Sequence, residues 1–201
     1  MVEYFFKGGP FMYPILIALI IGIMFSIERF WTLMRASINA RRFTHRIREA
    51  LEKGSIDDAV EICANTRGPI ANVLQAGLTR AGRGIEAVEK AVMTAGTIEM
   101  AFLERNLVWL ATVVSLAPML GFLGTVSGMV NAFDAIAQAN DISPSLVAGG
   151  ISEALLTTMF GLIVAIIIQF CHNFFVARID KIVTDMEEST QEMVDTLVAK
   201  Q

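Results

Sequence analysis

ALLTTMFGLIVAIIIQFCHNFFVA, residues 154–177, runs for twenty-four positions without a charged side chain. A helix rises about 1.5 Å per residue, so roughly 20 apolar residues cross the hydrocarbon core of a bilayer. Two more stretches are long enough. Twenty uncharged positions separate Lys7 from Glu28, and twenty-eight separate Arg105 from Asp134. The composition agrees, because 54% of the 201 residues are hydrophobic and only 18% are charged. Soluble domains lie nearer roughly 45–50% and 25%. The chain therefore reads as an all-α membrane protein with three transmembrane helices. The reading divides it into an outer N-terminus with helix one (1–35), a cytoplasmic helical loop (36–105), helix two (106–136), a short outer loop (137–144), helix three (145–177) and a cytoplasmic C-terminal helix (178–201). Ser143-Pro144 has the form of a helix start, which places Glu153 inside the third span.

Charge sets the orientation. Twelve of the sixteen Lys and Arg residues fall between Glu28 and Arg105, three follow from Arg178 onward, and residues 134–152 hold none. Basic residues gather on the cytoplasmic side. Arg35, Arg41, Arg42, Arg46 and Arg48 stand just after helix one. The N-terminus and the second loop are then outside and the C-terminus inside. Trp31 and Trp109 fall at the cytoplasmic ends of helices one and two, where aromatic belts form. The first residues lack the pattern of a cleaved signal peptide, so none is expected.

The cytoplasmic loop reads as helices. Ser55-Ile56-Asp57-Asp58 resembles a capping box with Asp in the usual Glu place. Gly68-Pro69 ends one helix and starts the next. A further helix from about Ile85 is expected to run straight into the second span. Beyond Arg178, Ile179, Ile182, Val183, Met186, Met193, Val194 and Leu197 recur at helical spacing. Helix three should continue into the cytoplasm as an amphipathic rod. Its acidic face (Asp180, Asp185, Glu187, Glu188, Glu192, Asp195) reads as solvated surface, with partner docking as the alternative.

Glu153 carries the most information. A carboxylate inside a span costs about 2.5–3.5 kcal/mol on insertion scales, and such residues mark ion pathways. The alternative is an interfacial acid that ends the helix. Thr157 lies one turn on, Thr158 is rotated further round, and Thr125 sits mid-way along helix two. Taken singly, each threonine is as well explained by a bond to its own helix backbone. Small residues recur at three- and four-residue spacing: Gly121, Thr125, Gly128 and Ala132, then Ala154, Thr158, Gly161 and Ala165. Such stripes, with Gly124 beside them, let helices approach closely. Pro118 is expected to kink helix two or open its backbone toward a neighbour. His45, His172, Cys63 and Cys171 have no metal-ligand spacing or disulfide framework. No phosphate loop or nucleophile triad is present, and the net charge of −4 argues against nucleic acid. No cofactor, no metal and no enzymatic activity are expected.

Two motifs carry a resemblance. APMLGFLGTVSGMVNAF at 117–133, and ISEALLTT at 151–158 followed by GLIVAI at 161–166, resemble the signatures of the MotA/TolQ/ExbB proton-channel family. Length and three spans point to its TolQ/ExbB branch. The resemblance implies a pentamer around a central pore in the bacterial inner membrane. The pore would hold a dimer of single-span partners of the ExbD/TolR type, coupled to a TonB- or TolA-like periplasmic protein. It implies that Thr125, Glu153 and Thr158 line the pore, and Thr157 joins them as an extra hydroxyl near the acid. The implied function is the channel and stator subunit of a motor driven by protons, and the alternative is a non-conducting scaffold for a partner. Ile167 stands where the family often has proline, His172 where tyrosine is common, and Thr157 where alanine is frequent. The extra hydroxyl leaves proton and sodium both open.

Overall fold

The computed structural model describes residues 2–36, 39–53, 55–139 and 144–199. Among them every regular element is helical: α1 (Val2–Lys7), α2 (Met12–Ala36), α3 (Ala40–Glu52), α4 (Ile56–Ala64), α5 (Pro69–Leu78), α6 (Ile85–Glu104), α7 (Leu107–Ala139) and α8 (Pro144–Val198), with a single 3-10 turn at Ala81–Arg83. Three stretches, within Met12–Glu52, Ile85–Gln138 and Val147–Val198, are long and apolar enough to cross a membrane. Asp141 and Ser143 lie outside the described residues.

Helix starts follow local chemistry. The Ser55 hydroxyl accepts from Asp58 N–H at 3.0 Å, which caps α4. Asn39 does the same for α3 through Arg42 N–H. Pro69 opens α5, where its missing N–H costs nothing.

The helix expected to run unbroken from Ile85 into the second span is instead two helices. Asn106 takes φ +68° between α6 and α7. Its Nδ2 donates to Glu28 Oε2 at 3.3 Å. Asn is the residue after glycine that best tolerates this left-handed region. At the end of α6 the buried Arg29 guanidinium donates to Leu103 O at 3.3 Å, satisfying a carbonyl that the break leaves without a helical partner. Pro118, by contrast, does not end its helix, since α7 continues through it.

The chain divides into two compact units. One comprises Arg29–Arg105 and Phe175–Gln201. Its core is that of a soluble protein. Phe43, Ile47 and Leu51 of α3, Ala59 and Cys63 of α4, Ile70 and Leu74 of α5, and Val88 of α6 close around Met186, Met193 and Leu197 of α8. Each such large side chain contributes about 1.5–3 kcal/mol by leaving water. The acidic face of α8 is mostly outward, and Glu192 meets Arg48 at 3.4 Å. Inside, Thr44 donates to Ser189 at 2.8 Å, which satisfies a buried hydroxyl.

The other unit comprises Met1–Glu28 and Asn106–Phe174. Its surface is apolar: Ile17, Ile20, Phe122, Phe133, Leu155, Ile166 and Phe170 are all exposed. Only 28–33% of each long apolar stretch is buried within the chain. So much exposed apolar surface calls for lipid or other protein around it. Internal contact comes from small residues. A methyl on Gly161 would stand 2.6 Å from Ala117 O, and one on Gly121 would stand 2.9 Å from Thr157 O. Gly128 lies against Ala154 in the same way, and Gly22 of α2 receives Ile168. The α7 and α8 backbones thus touch almost directly.

Candidate ion-pathway site

The seam of α7 and α8 places the polar residues of the spans. Gly121, Gly124, Gly128 and Ala132 line the buried face of α7, and Ala154, Thr157 and Gly161 face them from α8. Thr125 and Thr158 lie beside this line, half-buried, and their hydroxyls meet each other. Thr158 Oγ1 reaches Gly121 O at 3.1 Å. Thr125 Oγ1 reaches Gly121 O at 3.2 Å and Ala154 O at 3.3 Å. The mutual contact takes one of the two hydroxyl protons, and the other goes to a helix carbonyl. Such a pair can pass a proton by rotation, because each hydroxyl both donates and accepts.

Thr157 is placed differently. It is fully buried, and its hydroxyl donates to Ala154 O at 2.8 Å. A methyl on Gly124 would stand 2.6 Å from Thr157 Oγ1, so this threonine fills the hollow that Gly124 leaves. Thr158 is the helix-three hydroxyl that meets Thr125, and Thr157 packs in the seam.

Glu153 is half-buried on α8. Its carboxylate bonds to none of the three threonines and has no ion-pair partner among the described residues; Thr157 reaches only its backbone oxygen, at 3.3 Å. Glu153 and Thr158 stand five positions apart, about 7.5 Å along the axis. The carboxyl group lies instead against Gly9, in the turn between α1 and α2. That neighbour carries no sequence signal beyond a Gly-Gly-Pro turn more than 140 positions away. Pro118 is half-buried beside Ala117, whose carbonyl meets Gly161. Asp134 is exposed. Among the described residues no cluster of His, Cys, Asp and Glu is built to hold a metal.

Comparison with known proteins bears on this arrangement. Residues 65–188 match the MotA/TolQ/ExbB proton channel family, a stretch that includes both spans of the seam and all four polar residues. A protein named as a biopolymer transport ExbB homolog in Methanothermobacter thermautotrophicus is 31% identical over 187 residues, covering 92% of this chain and 66% of its own length. A biopolymer transport ExbB-like protein of Synechocystis is 31% identical over 173 residues, or 83% and 66% of the two chains. The Tol-Pal system protein TolQ of Pseudomonas aeruginosa is 38% identical over 99 residues, 49% of this chain and 43% of that protein. The chain thus spans just under two thirds of the first two relatives.

Proposed function

This chain belongs to the MotA/TolQ/ExbB proton channel family, and on that premise we propose that it is the channel and stator subunit of an ion-driven motor in the inner membrane. The proton is the ion of this reading. Copies of the chain, five in the expected assembly, surround the single membrane helix of each of two ExbD/TolR-like partners, and ion transfer powers work across the periplasm through a TonB- or TolA-like protein. The reading is of a transporter rather than an enzyme.

One observation carries it: Glu153 is an acid on an otherwise uncharged span, half-buried, with its carboxylate bonded to no side chain among the described residues. A carboxylate in that setting gains from protonation, because the neutral form crosses apolar surface at far lower cost. Deprotonation restores its attraction to water or to a partner's polar group. A membrane potential contributes about 2.3 kcal/mol per elementary charge per 100 mV, enough to bias each transfer. Thr158 supplies a hydroxyl further along the same span, and Thr125 supplies one from α7 beside it.

A second reading has its own support. The hydroxyls of Thr125 and Thr158 are satisfied by each other and by helix carbonyls, as they would be in a purely structural seam. On that reading the chain is a non-conducting scaffold for its partner. Flux into liposomes containing the complex with its partner separates the two. Under an imposed pH gradient, wild type is expected to conduct and Glu153→Gln to lose nearly all flux with assembly intact. Equal flux in both sinks the ion-carrying role, and flux under a sodium gradient alone replaces the proton with sodium.

A further inference from the structure

Gly9 joins α1 to α2 with φ +70°, and its Cα lies directly against the Glu153 carboxyl group. A methyl at this position would overlap Glu153 Oε1, stand 2.7 Å from the carboxyl carbon and 3.2 Å from Cγ. The end of the Glu153 side chain therefore rests where the chain has no side chain of its own. The turn beneath it is held at several points. Gly8 N–H donates to Tyr4 O and Phe5 O, at 3.1 and 3.2 Å. Gly9 O accepts from Met12 N–H, and Pro10 O from Tyr13 N–H, both at 3.3 Å. The Phe5 ring stands edge-on to Tyr13 at 5.7 Å, which clips α1 back onto α2. Met12, buried, packs against Gly8.

We propose that the Gly8-Gly9-Pro10 turn is the seat of the Glu153 carboxylate, and that Gly9 is a positioning residue that fixes where this acid rests between ion transfers. The proposal rests on the reading of Glu153 as the ion-carrying acid. A seat of this kind suits such an acid. It defines one resting place by shape, and no bond to another side chain must break before the carboxylate moves. The same shape closes the acid off on the side where α2 begins. The atoms that a Cβ would strike are the far end of a flexible side chain, so a substitution at Gly9 displaces the carboxylate instead of dismantling the turn. Glycine adopts φ +70° without strain, and Asn is the next most tolerant residue. Gly9→Asn therefore moves the carboxylate with little backbone strain, and Gly9→Ala moves it with more.

The test uses the full chain with its partner in phosphatidylethanolamine–phosphatidylglycerol vesicles. Dicyclohexylcarbodiimide modifies protonated carboxyl groups in apolar surroundings, and mass spectrometry gives the rate at Glu153. Gly9→Asn, Gly9→Ala and Phe5→Ala are each expected to label Glu153 several-fold faster than wild type. Gly84→Ala is the control, because Gly84 has φ +95° and nothing within contact of an added methyl. Unchanged rates in both Gly9 variants overturn the seat. Acceleration matched by Gly84→Ala also overturns it, since backbone strain would then be the cause. Where Gly9→Asn conducts, the pH of half-maximal flux is expected to shift, and an unshifted profile alongside faster labelling removes the positioning role. Labelling does not depend on transport. If Glu153→Gln conducts normally, the ion-carrying reading fails, and the labelling rates still decide the seat.

Discussion

Cys63 shows how far the surroundings of one residue decide its chemistry. It is buried in the α3–α6 core, and burial pushes its thiol up to about 12 from an ordinary 9.0. The folded state holds this proton more tightly than the unfolded chain. Its contribution to stability is therefore complete below about pH 9 and is lost as pH climbs toward 12. With Cys171 replaced by Ser, Cys63 is expected to resist maleimide at neutral pH until the chain is denatured, and Cys63→Ala should flatten the alkaline arm of the stability curve. Rapid labelling of the folded chain would mean that this core is open. The threonines make a related point. Spacing identifies Thr125, Thr157 and Thr158 as hydroxyls near an acid, but a helix turns about 100° per residue. Adjacent Thr157 and Thr158 consequently have different partners, one in the Gly124 hollow and one facing Thr125.

At the scale of the helix, the α7–α8 seam and the α6–α7 break depend on single backbone positions. Gly161→Ala would drive a methyl into Ala117 O, a backbone atom that cannot rotate away. The expected cost is about 1–3 kcal/mol, the range of an overpacked contact, seen as a lower melting temperature in detergent. Gly149→Ala, with open space around it, should leave that temperature unchanged or raise it. Equal melting of the two variants would remove close helix contact as the source of seam stability. Asn106→Val should cost about 1–2 kcal/mol, because a β-branched residue resists positive φ. Asn106→Gly should be close to neutral, apart from the lost bond to Glu28. Matching losses in both would assign the effect to that bond and not to φ. The run of apolar residues after Ile85 gave no warning of this break, since apolar periodicity does not report backbone sign. Asn106 was the one available sign, and a lone Asn is a weak one.

For the whole molecule, the distribution of charge predicts the arrangement across the membrane. Single cysteines at Lys53 and Gln191, in a chain without Cys63 and Cys171, are expected to react with an impermeant maleimide only from the cytoplasmic side, and one at Glu3 only from the other. Labelling of all three from one side would overturn the three-span topology. The helical class of the fold and its three long apolar helices are legible in sequence because a bilayer imposes a simple rule of about 20 apolar residues per crossing; the sidedness that the basic residues predict is what the labelling tests. The stripe of α8 from Ile179 to Leu197 was legible for the same kind of reason, one helix burying one face. What sequence order leaves open is which distant backbone meets which side chain. The contact of Gly9 with Glu153, the pairing of Thr125 with Thr158 and the capping of Leu103 by Arg29 join residues 33 to 144 positions apart. No local propensity encodes such pairs. They are decided by how closely helices can approach and where each turn of each helix points, and only the packed tertiary structure settles that.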